Sequence, residues 1–509
     1  MPRSVDLDLQ RQLIRDDRQE DLAFGLWTPS IGNGRGSALL HTVLMPQDGD
    51  RHVHGNVSFQ PHYFERVCRE AMAGGCGIAF MHSHPFPGWQ GMSDDDVRAE
   101  KKMAGATTAL TGLPLLGLTI GDDGTWSART WTLSADHSYD RRWCEVVRVV
   151  GDGLRVHFAD SVLPPPLLRE EFRRTVSIWG AEAHARLARL RVGIVGLGSV
   201  GALVAESLSR MGLRRFVLID FDRVEHHNLD RLVIATSADV GRLKVEVAAE
   251  RIKRVATAAE VDVRTIRFSV VESDGYRSAL DCDVLFSCVD RPRPRHILNH
   301  LAFGHLIPVI DGGIQVRFRG GQFTGVDWQV QTAMPGSVCL ECLGAYNAGD
   351  VSTEAAGKLD DPSYMAGLPA DHRLRRNENV FPFAANVASL EILQLIAMVT
   401  RVAGISTFGV QRFRYVPGVL EQAVDRQCRP DCDRIGLVAR GDDHFSLAGR
   451  DLSAEAARDR AVADRTRRQQ GCSGGCGIER GSADANGNAH RAVSSHGTRA
   501  TSVRPDGDN

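Results

Sequence analysis

The feature that most constrains the fold is a glycine-rich turn between an apolar strand and a helix. The β-branched run 191–195 predicts a buried strand, and three glycines follow it at once, Gly196, Gly198 and Gly201. A helical pattern comes next, and then a second apolar run that ends in Asp220. This order is typical of the nucleotide-binding half of a doubly wound α/β sheet. Its glycines let backbone N–H groups approach a phosphate at the start of a helix.

The residues after that acid separate two kinds of nucleotide enzyme. Asp222, Asn228, Arg231 and Lys244 follow in order. Hydride transfer leaves a dinucleotide's pyrophosphate intact, whereas cleavage of ATP between its α- and β-phosphates needs cations to neutralise the leaving pyrophosphate. Lysine is scarce in this chain, with five among 61 Lys plus Arg, so a Lys here is informative. A nicotinamide-dependent oxidoreductase would explain only the glycines. The plainer alternative is that Arg231 and Lys244 are solvated charges at helix ends.

At these residues the chain resembles the ubiquitin-activating-enzyme superfamily, which includes the bacterial ThiF and MoeB proteins. The resemblance runs to about residue 432 and implies a Rossmann-like adenylation domain, which we place at residues 165–440. It implies that Asp220 binds the ribose of ATP. The residues implied to bind its phosphates are Asn228, Arg231 and Lys244, beside the three glycines and Asp222.

Two further positions fit the same resemblance. Asp290 ends the buried run 284–289 and resembles the superfamily's Mg²⁺-binding Asp, with Arg295 in its usual place after it. An acid at the carboxyl end of a central strand lies in the binding crevice of such a sheet. Arg174, with Arg173 as its neighbour, matches an Arg that reaches the partner subunit's ATP, which implies a homodimer. The alternative is that both are ordinary surface arginines.

Cysteine pairs predict a second kind of site. Four Cys in two pairs can form a structural zinc site, as the superfamily has here, and the pairs are Cys339 with Cys342 and Cys428 with Cys432. Cys472 and Cys476 are a rival second pair. Superfamily members that form a thioester carry a Cys after the first pair, and this chain has none between residues 343 and 427. Either the acyl-adenylate is the end product, or the thiol comes from Cys288, the tail pair or a partner protein.

The N-terminal region carries a different metal pattern. A predicted strand ends in His82 and His84, whose period-two spacing puts both imidazoles on one face. Ser93 then opens a helix as its N-cap, and Asp96 falls in the first turn. Two His and one carboxylate with an open fourth position make a catalytic zinc site, whose bound water needs a base.

These residues resemble the JAMM (JAB, MPN+) metalloproteases, which cut after the C-terminal Gly of ubiquitin-like proteins. The resemblance implies that His82, His84 and Asp96 bind Zn²⁺, that Ser93 steadies the oxyanion and that an upstream Glu polarises the water. Glu20 is our candidate, and Glu65 and Glu70 are rivals. The gap before Ser93 is one residue longer than in eukaryotic members, which leaves Asp95 as a register alternative. A histidine pair without metal, or an inactive JAMM-like domain, are the alternatives.

The whole chain is thus predicted to be α/β, with a JAMM-type domain at 1–150, the ThiF-type domain, and a polar helix with a disordered tail at 441–509. The net charge of −2 gives no reason to expect nucleic acid or membrane as a partner. The charged N-terminus lacks the apolar core of a signal peptide, and the apolar region 387–405 is interrupted by charges. We therefore expect a cytoplasmic protein.

Together the two resemblances imply a fused pair of activities on one modifier. The second domain would use ATP and Mg²⁺ to adenylate the C-terminal Gly of a ubiquitin-like or sulfur-carrier protein ending in Gly-Gly. The first would process that protein with Zn²⁺, and a ubiquitin-conjugating-type enzyme is a further expected partner. Fused genes of this type resemble bacterial ubiquitin-like conjugation systems, some of them linked to phage defence. Sulfur-carrier activation for biosynthesis and a catalytically inactive modifier-binding scaffold are the alternatives.

Overall fold

The structure is a computed structural model that describes residues 1–54, 56–319, 321–369, 379–444 and 446–473, with side chains up to residue 463 in the last helix. Its internal contacts divide the chain into Met1–Arg458 and Asp459–Asn509. Within the second unit, the described residues belong to one helix, Leu452–Ser473. The tail predicted to be disordered beyond Gly471 falls almost entirely outside the described residues.

The N-terminal part is built on a six-stranded sheet in the order β2-β1-β5-β6-β7-β8. Its two central strands, β5 and β6, are buried throughout, as expected for strands covered on both faces. The strands are β1 (Leu22–Ile31), β2 (Gly36–Leu44), β5 (Gly77–Ser83), β6 (Leu115–Ile120), β7 (Trp126–Leu133) and β8 (Tyr139–Trp143), with a small hairpin of β3 (Arg51–His54) and β4 (Asn56–Phe59). The helices are α1 (Arg3–Leu13), α2 (Pro61–Gly74) and α3 (Asp94–Thr111).

The second sheet has eight strands in the order β13-β12-β11-β14-β15-β16-β17-β18. The first five are parallel, and the last three continue it antiparallel. The strands are β11 (Arg191–Val195), β12 (Arg215–Ile219), β13 (Asp262–Ile266), β14 (Val284–Ser287), β15 (Val309–Arg319), β16 (Gln322–Ala333), β17 (Val410–Arg414) and β18 (Val419–Ala423). The strand order reverses at β11, so the crevice that such sheets use for ligands opens at the carboxyl ends of β11 and β14. The predicted doubly wound architecture is confirmed.

Helices cover this sheet and complete its core. They are α4 (Arg173–Arg189), α5 (Ser199–Arg210), α6 (Lys244–Val255), α7 (Ser273–Leu280), α8 (Pro292–Gly304), α9 (Leu340–Leu343), α10 (Ala348–Ala355), α11 (Pro362–Gly367), α12 (Phe381–Thr400) and α13 (Asp433–Gly436). The last helix in chain order is α14 (Leu452–Ser473). By length and composition α12 could cross a membrane, but 56% of its apolar window is buried. Because it packs against α5, β15 and β16, it is a core helix of this sheet.

A two-stranded ribbon joins the two parts. Its strands, β9 (Val146–Val150) and β10 (Leu154–Phe158), extend past the predicted end of the first domain. Leu154, Val156 and Phe158 belong to the hydrophobic core of the second sheet, while Arg155 pairs with Asp6 of α1. The predicted limits at residues 150 and 165 stay predictions, because both sheets lie in one compact unit.

Helix α8 buries a histidine, His300, whose pKa predicts that the fold is sensitive to acid. His300 is 1% exposed, and neither of its ring nitrogens has a hydrogen-bond partner among the described residues. Burial first, and then the nearby His305 and Arg434, lower the pKa of His300 from 6.5 to about 3. The unfolded chain therefore takes up this proton near pH 6.5, while the folded chain resists it, so stability falls as the pH drops below about 6.5.

We expect His300→Phe to reduce this acid sensitivity. The free energy of unfolding lost between about pH 7 and pH 5 should shrink by about 2 kcal/mol, since each pKa unit is worth about 1.4 kcal/mol. Thermal unfolding midpoints at the two pH values measure it. His52→Gln, at an exposed histidine, should leave the pH difference as in the wild type. An equal pH difference in His300→Phe would show that this ring is not responsible.

Candidate functional sites

The glycine turn after β11 is shaped by close backbone contacts. Gly196 has φ +88, and a Cβ there would lie 2.6 Å from the carbonyl oxygen of Cys288. A Cβ on Gly201 would lie 2.0 Å from the carbonyl oxygen of Gly196. Glycine at this position therefore lets α5 approach the strand. Gly198 faces open space, with nothing within 4 Å of a Cβ, and it is the residue just before α5. That space lies at the start of a 12-residue helix, where a phosphate is favoured.

Two acids and a lysine meet beside this turn. The carboxylate of Asp220, 8% exposed, accepts hydrogen bonds from the backbone N–H of Leu197 (2.6 Å) and of Asp222 (2.7 Å). Lys244, at the first position of α6, donates from Nζ to Asp222 at 2.9 Å. Burial alone would lower the pKa of Lys244, but the carboxylates of Asp220, Asp222 and Asp290 outweigh it and raise that pKa. The lysine is therefore held as a cation at the crevice.

The remaining predicted nucleotide-site residues are Asn228, Arg231 and Asp290. Asn228 accepts from the backbone N–H of Glu225 through Oδ1 at 3.0 Å, and so closes a single 3-10 turn. Arg231 donates to the carbonyl oxygen of His227 at 2.6 Å and to Asp230 at 2.8 Å. Asp290 follows β14, is exposed, and contributes to the field at Lys244. The structure thus brings Asp220, Asp222, Lys244 and Asp290 to one edge of the sheet.

Sequence reasoning missed a buried polar cluster behind this edge. Asp311, 1% exposed, accepts from Ser287 (2.6 Å), Arg295 (3.0 Å) and Gln331 (2.7 Å). The fully buried Glu391 of α12 lies beside it, and burial raises the pKa of that carboxyl well above its usual value. Arg295, predicted from its place after Asp290, therefore anchors the start of β15.

The same cluster contains Cys288, one of the candidates for a thioester cysteine. Cys288 donates from Sγ to Glu391 at 3.7 Å, and burial raises the pKa of its thiol well above the ordinary value. A thiol held neutral is a poor nucleophile. Cys288 is therefore a weak choice for the thioester cysteine, and the two tail cysteines lie where side chains are not described.

Arg174 and Arg173 lie at the start of α4, and both are exposed. Neither approaches the glycine turn of its own chain through any hydrogen bond of the described residues, and Arg173 pairs with Glu170 at 3.1 Å. An exposed position is compatible with the predicted reach into a partner subunit.

The histidine pair converges as its spacing predicts. His82 Nε2 lies 3.1 Å from His84 Nε2, and the two oxygens of Asp96 lie 3.4 Å from His82 and from His84. Tetrahedral zinc with Zn–N bonds near 2 Å holds its ligand atoms about 3.3 Å apart, so these three residues fit Zn²⁺. Asp95 instead pairs with Arg98, so the structure gathers Asp96 and not the alternative register.

The helix start also fixes the serine of this motif. Ser93 Oγ accepts from the backbone N–H of Asp96 at 3.1 Å, and Asp96 accepts in return from the N–H of Ser93 at 2.8 Å. This capping box spends an acceptor lone pair of Oγ and leaves its O–H free to donate. It also explains the three-residue step, because the same carboxylate that caps the helix faces the histidines.

Glu20 is the upstream acid that the structure places near the pair. Its Oε1 lies 3.9 Å from His84 Nε2. Burial raises the pKa of Glu20, which His84 opposes and Asp96 reinforces. The rivals Glu65 and Glu70 are exposed on α2, and neither forms an ion pair or hydrogen bond with the histidines among the described residues.

A buried ion pair supports the strand floor of this site. Arg129 and Glu100 are both fully buried and paired. Arg129 donates to Thr119 at 2.6 Å, and Thr119 lies 3.4 Å from His82 Nε2. Trp131 donates to Glu100 at 2.6 Å. Thr119 thus meets the same ring nitrogen of His82 that faces Asp96, and spacing along the sequence gave no signal for this network.

Four cysteines form the second candidate metal centre. The sulfur atoms of Cys339, Cys342, Cys428 and Cys432 all lie within 4.8 Å of one another. Cys339 and Cys432 are 3.7 Å apart at Sγ, close to the edge of about 3.8 Å expected around zinc with Zn–S bonds of 2.3 Å. The donor set fits a closed structural Zn²⁺ site, and it uses the second pair with three intervening residues.

We expect Cys432→Ser to lower both zinc content and stability. Loss of one ligand should remove one Zn²⁺ per chain and cost about 3 kcal/mol or more, since structural zinc contributes directly to folding. Metal analysis and thermal unfolding measure the two effects. Cys144→Ser, at a half-buried cysteine outside the cluster, is the matched control and should keep its zinc. Unchanged zinc in Cys432→Ser would exclude the four-cysteine site.

The fold and the crevice define a class before any comparison. A doubly wound sheet with a glycine turn, an acid at the tip of the second strand and a buried lysine cation is a nucleotide-binding α/β domain. Within that class, residues 172–422 match the model of the ThiF family. This part of the chain is similar to the ThiF family, as the sequence pattern predicts.

Three curated relatives show how far the likeness extends. The SAMP-activating enzyme E1 of Haloferax volcanii is 31% identical over 164 residues, 32% of this chain and 57% of that protein. The adenylyltransferase and sulfurtransferase uba4 of Aspergillus clavatus is 30% identical over 30% of this chain and 32% of its own length. The tRNA threonylcarbamoyladenosine dehydratase of Escherichia coli is 29% identical over 33% of this chain and 62% of its own. The chain thus spans about a third to three fifths of these relatives.

Among solved structures, MccB of Escherichia coli with ATP is similar at 18% identity and a TM-score of 0.38. The alignment covers 52% of this chain and 74% of that one.

Proposed function

We propose that this chain adenylates the C-terminal Gly of a ubiquitin-like or sulfur-carrier protein that ends in Gly-Gly. The observation that carries the proposal is the group of Asp220, Asp222, Lys244 and Asp290 at the carboxyl edge of a ThiF-like sheet. Relatives named for SAMP activation and for joint adenylyltransferase and sulfurtransferase activity support this substrate class.

In this reaction a carboxylate oxygen of the modifier attacks the α-phosphorus of ATP. The bond to the oxygen bridging the α- and β-phosphates breaks, which gives an acyl-adenylate and pyrophosphate. Lys244, already a buried cation, would neutralise charge that develops on the phosphates, and we propose the same task for Arg231. Asp290 would hold Mg²⁺, which shields the triphosphate. Asp220 would contact the ribose, and Arg174 would reach the partner's ATP in a homodimer.

The proposal includes zinc-dependent hydrolysis of the peptide or isopeptide bond that follows the modifier's terminal Gly. When bound by His82, His84 and Asp96, Zn²⁺ supplies a Lewis acid and lowers the pKa of water. Glu20 is positioned to take a proton from water and return it to the leaving amine. The free O–H of Ser93 can donate to the carbonyl oxygen as negative charge grows there.

The setting of these reactions follows from the same residues. A four-thiolate zinc site and free cysteines suit a reducing, cytoplasmic compartment. With no cysteine between residues 343 and 427, the adenylate would pass to a partner thiol, such as that of a conjugating-type enzyme. Bacterial ubiquitin-like conjugation, including systems used in phage defence, is the role we propose. Sulfur-carrier activation for biosynthesis shares the first step and is the second candidate, supported by the uba4 relative.

ATP–pyrophosphate exchange tests the proposal. Purified protein with ATP and Mg²⁺ should exchange labelled pyrophosphate only when a small Gly-Gly-ended protein encoded beside this gene is added. Removing the terminal Gly of that protein should abolish exchange. A scaffold that binds modifiers without chemistry would give no exchange and no Zn²⁺ beyond the four-cysteine equivalent, and that outcome would overturn the proposal.

A further inference from the structure

The turn between β1 and β2, residues 32–35, contacts the second part of the chain. Asn33 donates from its side chain to Ser278 (2.9 Å) and to the carbonyl oxygen of Asp274 (3.3 Å) at α7. The backbone N–H of Gly34 donates to both oxygens of Asp281, and Arg35 pairs with Asp283 at 2.7 Å. The turn therefore docks on the residues that end α7 and precede β14.

Other contacts reach the same edge of the second sheet. Arg148 of the ribbon donates to the carbonyl oxygen of Cys282 at 3.1 Å. Glu145 pairs with Arg215, the first residue of β12, at 2.7 Å. Ser30 and His305, which precedes β15, are 2.8 Å apart. All of these partners lie at the amino ends of the parallel strands, so the first part covers the amino edge of this sheet.

The nucleotide crevice lies at the opposite edge. Gly196 and Asp220 follow the carboxyl ends of β11 and β12, and Asp290 follows β14. The length of the parallel strands therefore separates the crevice from the docked turn. From Asp283 to the end of β14 this is about 13 Å at the rise of a β-strand.

The zinc residues lie at the far end of the first sheet as well. Leu22 pairs with His82 at one end of β1, while Ile31 leads into the docked turn at the other. At about 3.3 Å per residue these ends are about 30 Å apart. Among the described residues, no hydrogen bond or ion pair links Glu20, His82, His84, Ser93 or Asp96 to the second sheet.

The junction contains a buried network of charged side chains around Asp283. Asp283 is fully buried. Burial alone would raise the pKa of its carboxyl, but the guanidinium groups of Arg35 and Arg148 outweigh burial and lower that pKa to about 2. It also accepts from the backbone N–H of Arg191 at 2.8 Å. Breaking such a buried network is unfavourable. A swing of one part toward the other would have to break it.

We propose that the two centres work in separate encounters, with the shortened modifier released between them. This rests on the proposed function and deepens it. Each centre lies at the end of its sheet away from the docked turn, about 30 Å along β1 and about 13 Å along β14 by strand rise. Because the buried network at Asp283 holds the two parts in place, a modifier bound at one centre has to leave it to reach the other. Hydrolysis at the zinc centre supplies the free Gly carboxylate that adenylation consumes, and that product diffuses through solution.

A mixing experiment tests this. The probe is the Gly-Gly-ended protein that gives the strongest exchange, extended by a few residues after its last Gly. One sample mixes separately purified His82→Ala and Asp290→Ala in equal amounts. Its matched control mixes wild type with the double variant in the same amounts. Both samples hold equal numbers of working zinc centres and working ATP centres, but only the control has them on one chain.

We expect equal rates of probe-dependent pyrophosphate exchange in both mixtures, including at enzyme concentrations well below that of the probe. An exchange rate several-fold higher in the control, or a lag seen only in the variant mixture, would show transfer within one molecule and overturn the inference. Failure of the proposed function looks different, because then wild type alone gives no exchange with either the extended or the mature protein. Circular dichroism and zinc content confirm that each variant is folded.

Discussion

Asp290→Ala should abolish pyrophosphate exchange, by at least about 100-fold, because a charge-stabilising group of this kind is worth several kcal/mol in the transition state. The residue follows β14 at the carboxyl edge, is exposed to the crevice and lies within the field of Lys244. Removing it takes away the proposed Mg²⁺ ligand without disturbing the buried cluster of Asp311 and Arg295. The fold should therefore survive.

Two controls make this result specific. Asp425→Ala removes an exposed carboxylate elsewhere in the same domain and should keep full exchange. His82→Ala should also keep it with a mature Gly-Gly-ended protein, because His82 makes no hydrogen bond or ion pair with the second sheet among the described residues. Exchange that survives in Asp290→Ala would remove this Asp from the catalytic centre.

His82→Ala should lose one of two Zn²⁺ per chain and at least about 100-fold in cleavage of an extended modifier, since a metal ligand supports several kcal/mol of catalysis. The imidazole is 2% exposed and faces both His84 and Asp96. Cys432→Ser should lose the other Zn²⁺, so each variant should keep one Zn²⁺ per chain.

Asp95→Ala is the matched control for this centre. It removes the neighbouring carboxylate, which pairs with Arg98 on the exposed side of α3, and should keep both zinc and cleavage. If instead Asp95→Ala lost zinc and Asp96→Ala kept it, the ligand register would be wrong. Wild type holding only one Zn²⁺ would count against the N-terminal metal centre altogether.

Local patterns predicted the parts of these sites that lie on one element or its end. The two-residue step of His82 and His84 on a strand fixes a shared face, and the three-residue step from Ser93 to Asp96 is also the step of a capping box. The same holds for Gly196 and Gly201 of the glycine turn, where tight backbone contacts demand glycine. In each case short-range geometry leaves few alternatives.

What the sequence left unpredicted depends on residues far apart in the chain. Glu391 meets Cys288 across 103 positions, and Gly34 meets Asp281 across 247. Neither pair has a periodic signal, because each depends on how complete elements pack. The ribbon β9–β10 was missed for a related reason, since Val147 and Val149 of β9 fill the core of the first sheet while the apolar residues of β10 fill that of the second.

The most direct test of a hydrolytic and a nucleotide-consuming centre on one chain is intact-mass spectrometry of an extended modifier. The wild-type protein is incubated with it in the presence and absence of ATP and Mg²⁺. We predict that the extension is lost in both cases, and that the shortened protein gains the mass of one AMP only with ATP. An extension that stays in place, or a shortened protein that never gains AMP, would contradict the account.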